Sequence, residues 1–347
     1  MPCKAGSGQA ALDSKQDEPG QPLLQRVLNF MASSNDLLPY AVVLSAALAL
    51  FLPASFAWFT PQCYAPGLGF LMFAVGVNLK PEAFAHVFKT PQHILVGVIG
   101  QWLIKPLLGV LLASTLVPAL GLPPAVSTGL VLVSCVSGAQ LSNYATFLVH
   151  PDQAPLSIVL TALSTAAGVV LTPALALLLL GTRIPVDAWG MAVSITQIVI
   201  LPVAVGLLCN RAVPRLVAAA RPLLAFAALL DTCACVGASL ASNATAARSA
   251  TGAAVLLPVL LLHTAAFALG HKLARATIAK ESVALARCIS LETGMQSSLL
   301  GLLLASRFFG DPLVCLPCGL STIVMTLMGF FLVVYWKRQM QVQDQEP

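Results

Sequence analysis

From residue 37 onward the chain alternates long apolar runs with short punctuation by proline, glycine and charge. Five runs fall at 37–56, 63–79, 91–117, 125–149 and 155–180, and five more at 187–209, 222–241, 252–274, 281–306 and 312–336. Each is of a length that reads as a membrane-spanning helix, for which about 20 mostly apolar residues suffice. Residues 1–36 form a polar tail rich in Gly, Ser and Gln, and 337–347 a polar C-terminal tail. An even number of crossings puts both termini on one side of the membrane, and basic residues choose that side. The terminal side holds the three basic residues of the first tail, then Lys80, Lys89, Arg211, Arg215, Arg221, Lys272, Arg275, Lys280, Lys337 and Arg338. The opposite side holds Arg183, Arg248 and Arg307, while Lys105 and Arg287 fall inside spans. Both termini are therefore expected in the cytoplasm or stroma.

Composition closes off other classes. A chain that is 58% hydrophobic and 9% charged, with mean hydropathy +0.89, is a multi-pass membrane protein with no large domain outside the bilayer. Its net charge of +5 is scattered, and without a basic run to track a phosphate backbone nucleic acid is not an expected partner. Most of the nine cysteines sit singly in apolar runs, as Cys135, Cys209 and Cys288 do, and read as small hydrophobes. Cys315-Leu-Pro-Cys318 has the spacing of a redox or zinc pair but lacks a second pair or nearby histidines, so no transition metal, cofactor or obligate protein partner is expected.

Five spans followed by five reverse the orientation of the second set, so residues 37–180 and 187–336 can form two inverted repeats of one transporter domain, 37–336. Each half carries a polar, glycine-containing interruption at a corresponding place: Gly138-Ala-Gln140-Leu-Ser142-Asn143 in span four and Gly294-Met-Gln296-Ser-Ser298 in span nine. Paired breaks of this kind point to a midplane site, where unwound carbonyls coordinate a cation and half-helix N-termini attract anions.

Glu292 lies beside the second break, in Ile289-Ser-Leu-Glu-Thr-Gly-Met-Gln-Ser-Ser298. A carboxylate at bilayer depth costs several kcal/mol, so it faces a partner, a cation or a water-filled cavity. Ser157 and Thr161 are four apart and share a helix face. Taken alone they are better explained as hydroxyls at a helix–helix contact. Asn143 and Gln296 favour a site, because an amide in lipid needs several partners.

These segments resemble a known family. Gly76-Val-Asn78-Leu-Lys80-Pro81, Gly100-Gln101, Ser142-Asn143, Leu156-Ser157-Ile-Val-Leu-Thr161 and Glu292-Thr-Gly-Met295-Gln296, in that order over about 37–336, are similar to the bile acid:sodium symporter family. Cys135-Val-Ser-Gly-Ala-Gln-Leu-Ser-Asn-Tyr-Ala-Thr-Phe-Leu148 and Lys105-Pro-Leu-Leu-Gly109 resemble its plant and algal plastid branch. The resemblance implies ten helices, with spans 1, 2, 6 and 7 as a panel, spans 3–5 and 8–10 as a core, and broken helices four and nine crossing. It also implies two sodium sites behind the crossing. The first matches Ser142, Asn143, Ser157, Thr161 and Glu292; the second matches Gln101, Glu292, Thr293, Met295 through its carbonyl, and Gln296. Oxygen donors of this kind suit a hard cation such as Na⁺.

The chain departs from the family at the substrate end. Many members carry a Gly-Gly-Thr type sequence where this chain has Gly138-Ala139-Gln140-Leu141, and several carry Asn at the place of Ser297. Gln140, Ser297, Ser298 and Lys105 are the substrate candidates. Lys105 would balance an anion or, equally, form a structural ion pair; Asp231 has no counterpart in the carried-over pattern, and its role stays open.

The reading is a sodium-coupled symporter of an organic anion, a small 2-keto or hydroxy carboxylate for the plastid branch, working by alternating access and making no covalent change. A proton-coupled carrier, with Glu292 or Asp231 titrating, is the alternative. A membrane hydrolase is set aside, because the second acid or histidine pair it needs is missing. The branch points to the chloroplast envelope, with the plasma or another cell membrane as the alternative. The first tail lacks an apolar h-region and contains Asp13, Asp17 and Glu18, so it reads as neither secretory signal nor typical transit peptide and leaves room for a targeting segment upstream. Asn243-Ala-Thr245 is a glycosylation sequon on the side opposite the termini.

Overall fold

The computed structural model describes residues 38–79, 87–181, 185–242, 244–278, 280 and 282–343. The tail 1–36, Lys80, Arg183, Asn243 and the last four residues of the C-terminal tail lie outside them. The described chain is helical: α1 Leu38–Phe51, α2 Pro61–Asn78, α3 Pro91–Ala119, α4 Pro124–Ser134, α5 Leu141–Val149 and α6 Ala154–Leu180. After these come α7 Ala188–Ala212, α8 Pro214–Ser242, α9 Ala250–Thr277, α10 Val283–Gly294, α11 Ser298–Phe308 and α12 Cys315–Gln343. Six of the helices are long and apolar enough to cross a membrane: α3, α6 (from Pro151), α7, α8, α9 and α12 (from Pro312).

Local chemistry sets the ends. Pro61, Pro91, Pro124 and Pro214 stand at helix starts, where the missing N–H would be unsatisfied anyway and φ is already helical. Because Pro214 opens α8, that helix begins eight residues ahead of the expected 222 and carries Pro222 inside its early turns. Conversely α1 stops at Phe51 and a 3₁₀ turn, Pro53–Phe56, follows, since Pro53 has no N–H to continue the ladder. Both α3 and α7 widen into a π turn, Gly100–Ile104 and Thr196–Ile200. Each π turn directly precedes an X-Pro step, Lys105-Pro106 or Leu201-Pro202, where the proline ring displaces the carbonyl four residues earlier.

Two groups of helices emerge from the packing. In the first, α2 lies along α7, α1 along α8, and α8 touches α2 and α7. The α2–α7 contact is backbone to backbone: a Cβ added at Gly76 would strike the Val203 carbonyl, and one at Gly206 the Phe73 carbonyl. Small residues let membrane helices approach this closely. In the second group α9 packs on α10, α3 and α12, α4 on α3 and α12, and α6 on α5 and α10. Large apolar side chains cover the outside, among them Trp189 at 79% exposure, Phe51 at 77% and Leu178 at 71%. Water would not tolerate so much apolar surface, whereas lipid matches it.

Two breaks meet inside the second group. α4 ends at Ser134 and α5 resumes at Leu141; α10 ends at Gly294 and α11 resumes at Ser298. The first break falls slightly ahead of the expected stretch, which places Ser142 and Asn143 in the first turn of α5. Gly138 and Gln296 pair as an antiparallel bridge. Ala139 N–H donates to the Met295 carbonyl at 3.3 Å, and Ser297 N–H to that of Ser137 at 2.8 Å. Each broken helix thus satisfies backbone groups of the other.

Candidate functional site

Glu292 ends the apolar course of α10, is 5% exposed and points at α5 and α6. Ser142 Oγ donates to its Oε1 at 2.6 Å, Ser157 Oγ reaches the same oxygen, and Thr161 Oγ1 reaches Oε2 at 2.9 Å. The Asn143 Oδ1 lies 2.9 Å from both Ser157 Oγ and Thr161 Oγ1, and the Ala139 carbonyl 2.6 Å from Ser142 Oγ. The structure therefore brings the whole first set together.

Its proton count does not close. Six oxygen–oxygen contacts are shared by three hydroxyls, each with one hydrogen. With the Asn143 oxygen facing in, three contacts are left with no proton between the oxygens; only a turned-over Asn143 amide together with a protonated Glu292 would fill all of them. Oxygens crowded beyond their supply of hydrogens, around a carboxylate, are what a small hard cation requires.

The second set is arranged differently. Gln101 sits in the π turn of α3; its Nε2 donates to the Val136 carbonyl at 2.6 Å, and its Oε1 accepts from Lys105 Nζ at 3.1 Å. Thr293 Oγ1 is buried without a partner, between Gly100 and Gly270, where an added Cβ would collide with it. Gln296 Oε1 is also buried without a partner, while its Nε2 donates to Ser321 Oγ at 3.3 Å. The Met295 carbonyl already accepts from Ala139, leaving its second lone pair.

In front of the crossing lies a cavity of about 450 Å³ whose wall includes Met72, Asn78, Gln140, Asn143, Ser297 and Ser298. Among the described residues, none of its lining side chains is charged. Gln140 projects into it, with Nε2 3.5 Å from Met72 Sδ. Lys105, by contrast, is fully buried away from this wall, and its hydrogen bond goes to Gln101. Asp231 is half-buried on α8, close against Gly67 of α2, with Oδ2 unpartnered.

Three residues of this region escaped the sequence reading. Ser164 Oγ accepts from Gly138 N–H at 2.8 Å and holds the first break; its place seven residues after Ser157 on one helix face was the available signal. His263 and Ser321 sit behind the second break, with His263 Nδ1 2.8 Å from the Gly294 carbonyl and Nε2 2.8 Å from Ser321 Oγ. Polar residues scattered along two apolar helices distant in sequence gave no local sign of which would meet.

A crossing of two broken helices with a buried carboxylate behind it and, among the described residues, an uncharged cavity in front is the arrangement expected of a midplane site in a membrane transporter. The chain belongs to the sodium bile acid symporter family, whose profile matches residues 65–249. It is 50% identical over 315 residues to the "probable sodium/metabolite cotransporter BASS6, chloroplastic" of Arabidopsis thaliana, covering 90% of this chain and 77% of that protein. Against "probable sodium/metabolite cotransporter BASS5, chloroplastic" of Oryza sativa subsp. indica it is 50% identical over 316 residues, covering 90% and 79%. The family is one of transporters and not of enzymes.

Proposed function

We propose that the protein is a sodium-coupled symporter of a small organic carboxylate in the chloroplast envelope, working by alternating access. The observation that carries this reading is the oxygen cluster on Glu292, which, with the Asn143 oxygen facing in, has more close acceptor contacts than hydrogens to fill them. The relatives named as chloroplastic sodium/metabolite cotransporters support both the coupling ion and the membrane.

Coupling follows from charge. The described wall of the cavity is uncharged, so an anion entering it meets amides, hydroxyls and the N-terminal ends of α5 and α11, which carry partial positive charge. An ionised Glu292 behind that wall repels the anion. Sodium bound among Ser142, Asn143, Ser157, Thr161 and Glu292 removes the repulsion and ties α5, α6 and α10 together. A second ion among Gln101, Glu292, Thr293, the Met295 carbonyl and Gln296 would fix the other side of the break. Gln140 and Ser297 would contact substrate, with Ser298 supporting them from its buried bond to Ser321, whereas Lys105 acts on Gln101 instead. The ten-crossing architecture of two inverted repeats is part of the proposal, with α1, α2, α7 and α8 as the panel that rocks against the rest. Sodium need favour the substrate-competent state by only about 1–3 kcal/mol to couple the two gradients.

The test is thermal stability of the purified protein in Na⁺ against K⁺ at equal ionic strength. A sodium-specific rise in Tm that grows with concentration and disappears in Glu292→Ala is expected, since a ligand held only by the folded state stabilises it by mass action. Equal Tm in both salts, with uptake driven by ΔpH alone, would replace sodium by the proton.

A further inference from the structure

The polar groups behind the second break close into one hydrogen-bonded chain, and its bookkeeping has a single solution. His263 is 1% exposed, and Ser321, Ser298 and Gln296 are fully buried. The Gly294 carbonyl, the last of α10, can only accept, so the hydrogen of the imidazole sits on Nδ1, 2.8 Å away. A ring buried this deeply, with a carbonyl and a hydroxyl as its neighbours, is neutral. Nε2 therefore offers a lone pair, and Ser321 Oγ spends its one hydrogen there at 2.8 Å. Ser321 Oγ can then only accept, and it takes two further contacts, from Ser298 Oγ at 2.7 Å and from Gln296 Nε2 at 3.3 Å.

Gln296 is the residue whose freedom this removes. An amide can turn over, exchanging its oxygen and nitrogen edges, and only hydrogen-bond partners decide which way it faces. Because Ser321 has no hydrogen left to give, Gln296 can present only its NH₂ edge. Its Oε1 is left buried and without a protein donor. The same chain spans the break, holding the Gly294 carbonyl at the end of α10 and the Ser298 hydroxyl at the start of α11.

We propose that His263 and Ser321 are positioning residues for ion binding, which strap the break of α10 and α11 from behind and keep the Gln296 oxygen available as a cation ligand. The inference rests on the sodium reading above. In Ser321→Ala the NH₂ edge loses its acceptor and the amide is free to turn. In His263→Asn the side chain can still donate to Gly294, but the Ser321 hydrogen is released and can swing to the Gln296 oxygen.

The experiment measures Tm of the full chain across Na⁺ concentrations, with K⁺ making up the ionic strength, and reads the half-maximal Na⁺. Ser321→Ala and His263→Asn are expected to raise it about tenfold, the size of one lost hydrogen-bond orientation. Ser321→Thr, which keeps the hydroxyl, should stay within about twofold of the parent, and in a Gln296→Ala background Ser321→Ala should add nothing. A fall of Tm in K⁺ with an unchanged half-maximal Na⁺ would show a merely structural strap and overturn the proposal. If Glu292→Ala abolishes the sodium response while Gln296→Ala leaves it intact, this inference falls and the sodium reading stands. No sodium response in the parent protein removes both. Should the variants fail to fold, Na⁺-minus-K⁺ difference infrared spectra of protein carrying ¹³C-labelled glutamine decide. A shifted side-chain carbonyl band is expected, and its absence overturns the assignment.

Discussion

The two sides of Glu292 are built on opposite principles. Toward α5 and α6, three hydroxyls and an amide oxygen converge on the carboxylate with every atom already in place. Toward α3 and α12 the ligand atoms are dispersed: Gln101 Oε1 is already taken by Lys105, while Gln296 Oε1 and Thr293 Oγ1 stand apart with no protein partner. A preorganised cluster binds an ion without rearrangement, whereas a dispersed one must first release or turn its groups, and that reorganisation weakens the observed affinity. On the proposed sodium reading, the first side is the place for a tightly held ion and the second for one coupled to movement of the break.

Substitutions can break or sharpen this contrast. Glu292→Ala serves both sides and should have the largest effect, removing the sodium-dependent rise in Tm and sodium-driven uptake into proteoliposomes together. Next comes the matched pair Thr161→Val and Thr293→Val, isosteric losses of one oxygen on either side. Thr161→Val should raise half-maximal Na⁺ about 10–100-fold, as loss of a contact to a charged group costs about 1.5–3 kcal/mol. Thr293→Val should cost only about tenfold or less, because no protein hydrogen bond is lost with it. Equal effects would erase the distinction between preorganised and dispersed sides. Gly100→Ala puts a methyl group against Thr293 Oγ1, and overpacking at a buried site costs about 1–3 kcal/mol. Its Tm should fall in K⁺ as well as in Na⁺. The smallest change is expected from Lys105→Met, which frees Gln101 Oε1: half-maximal Na⁺ should fall by about threefold, within the range of one hydrogen bond. A rise instead would mean that the ammonium supports the site.

Much of the core of this arrangement was legible in the chain because its signals are local. Glu292 stands out in an apolar run, Ser157 and Thr161 share a helix face, and both breaks are marked by glycine beside amides. What could not be read depends on partners distant in sequence. His263 and Ser321 lie 58 residues apart and look like isolated polar positions until α9 and α12 pack. Lys105 looked like a candidate for the cavity because position along a helix does not reveal which way a long side chain bends. Helix boundaries slipped for a different reason. Arg215, Arg221 and Pro222 look like punctuation, yet α8 runs through all three and absorbs Pro222 inside the helix at the loss of a backbone hydrogen bond.

The crossing itself leaves a mark of another kind. Its two backbone bonds use the N–H groups of Ala139 and Ser297, one from each broken helix. The chain carries 24 prolines, spread through helix starts, interiors and turns, and a substitution scan would find many places that accept another. At 139 and 297, outside the helices, a proline would erase a donor with no replacement, so among the non-helical positions of such a scan the crossing would be marked by two forbidden letters some 160 residues apart.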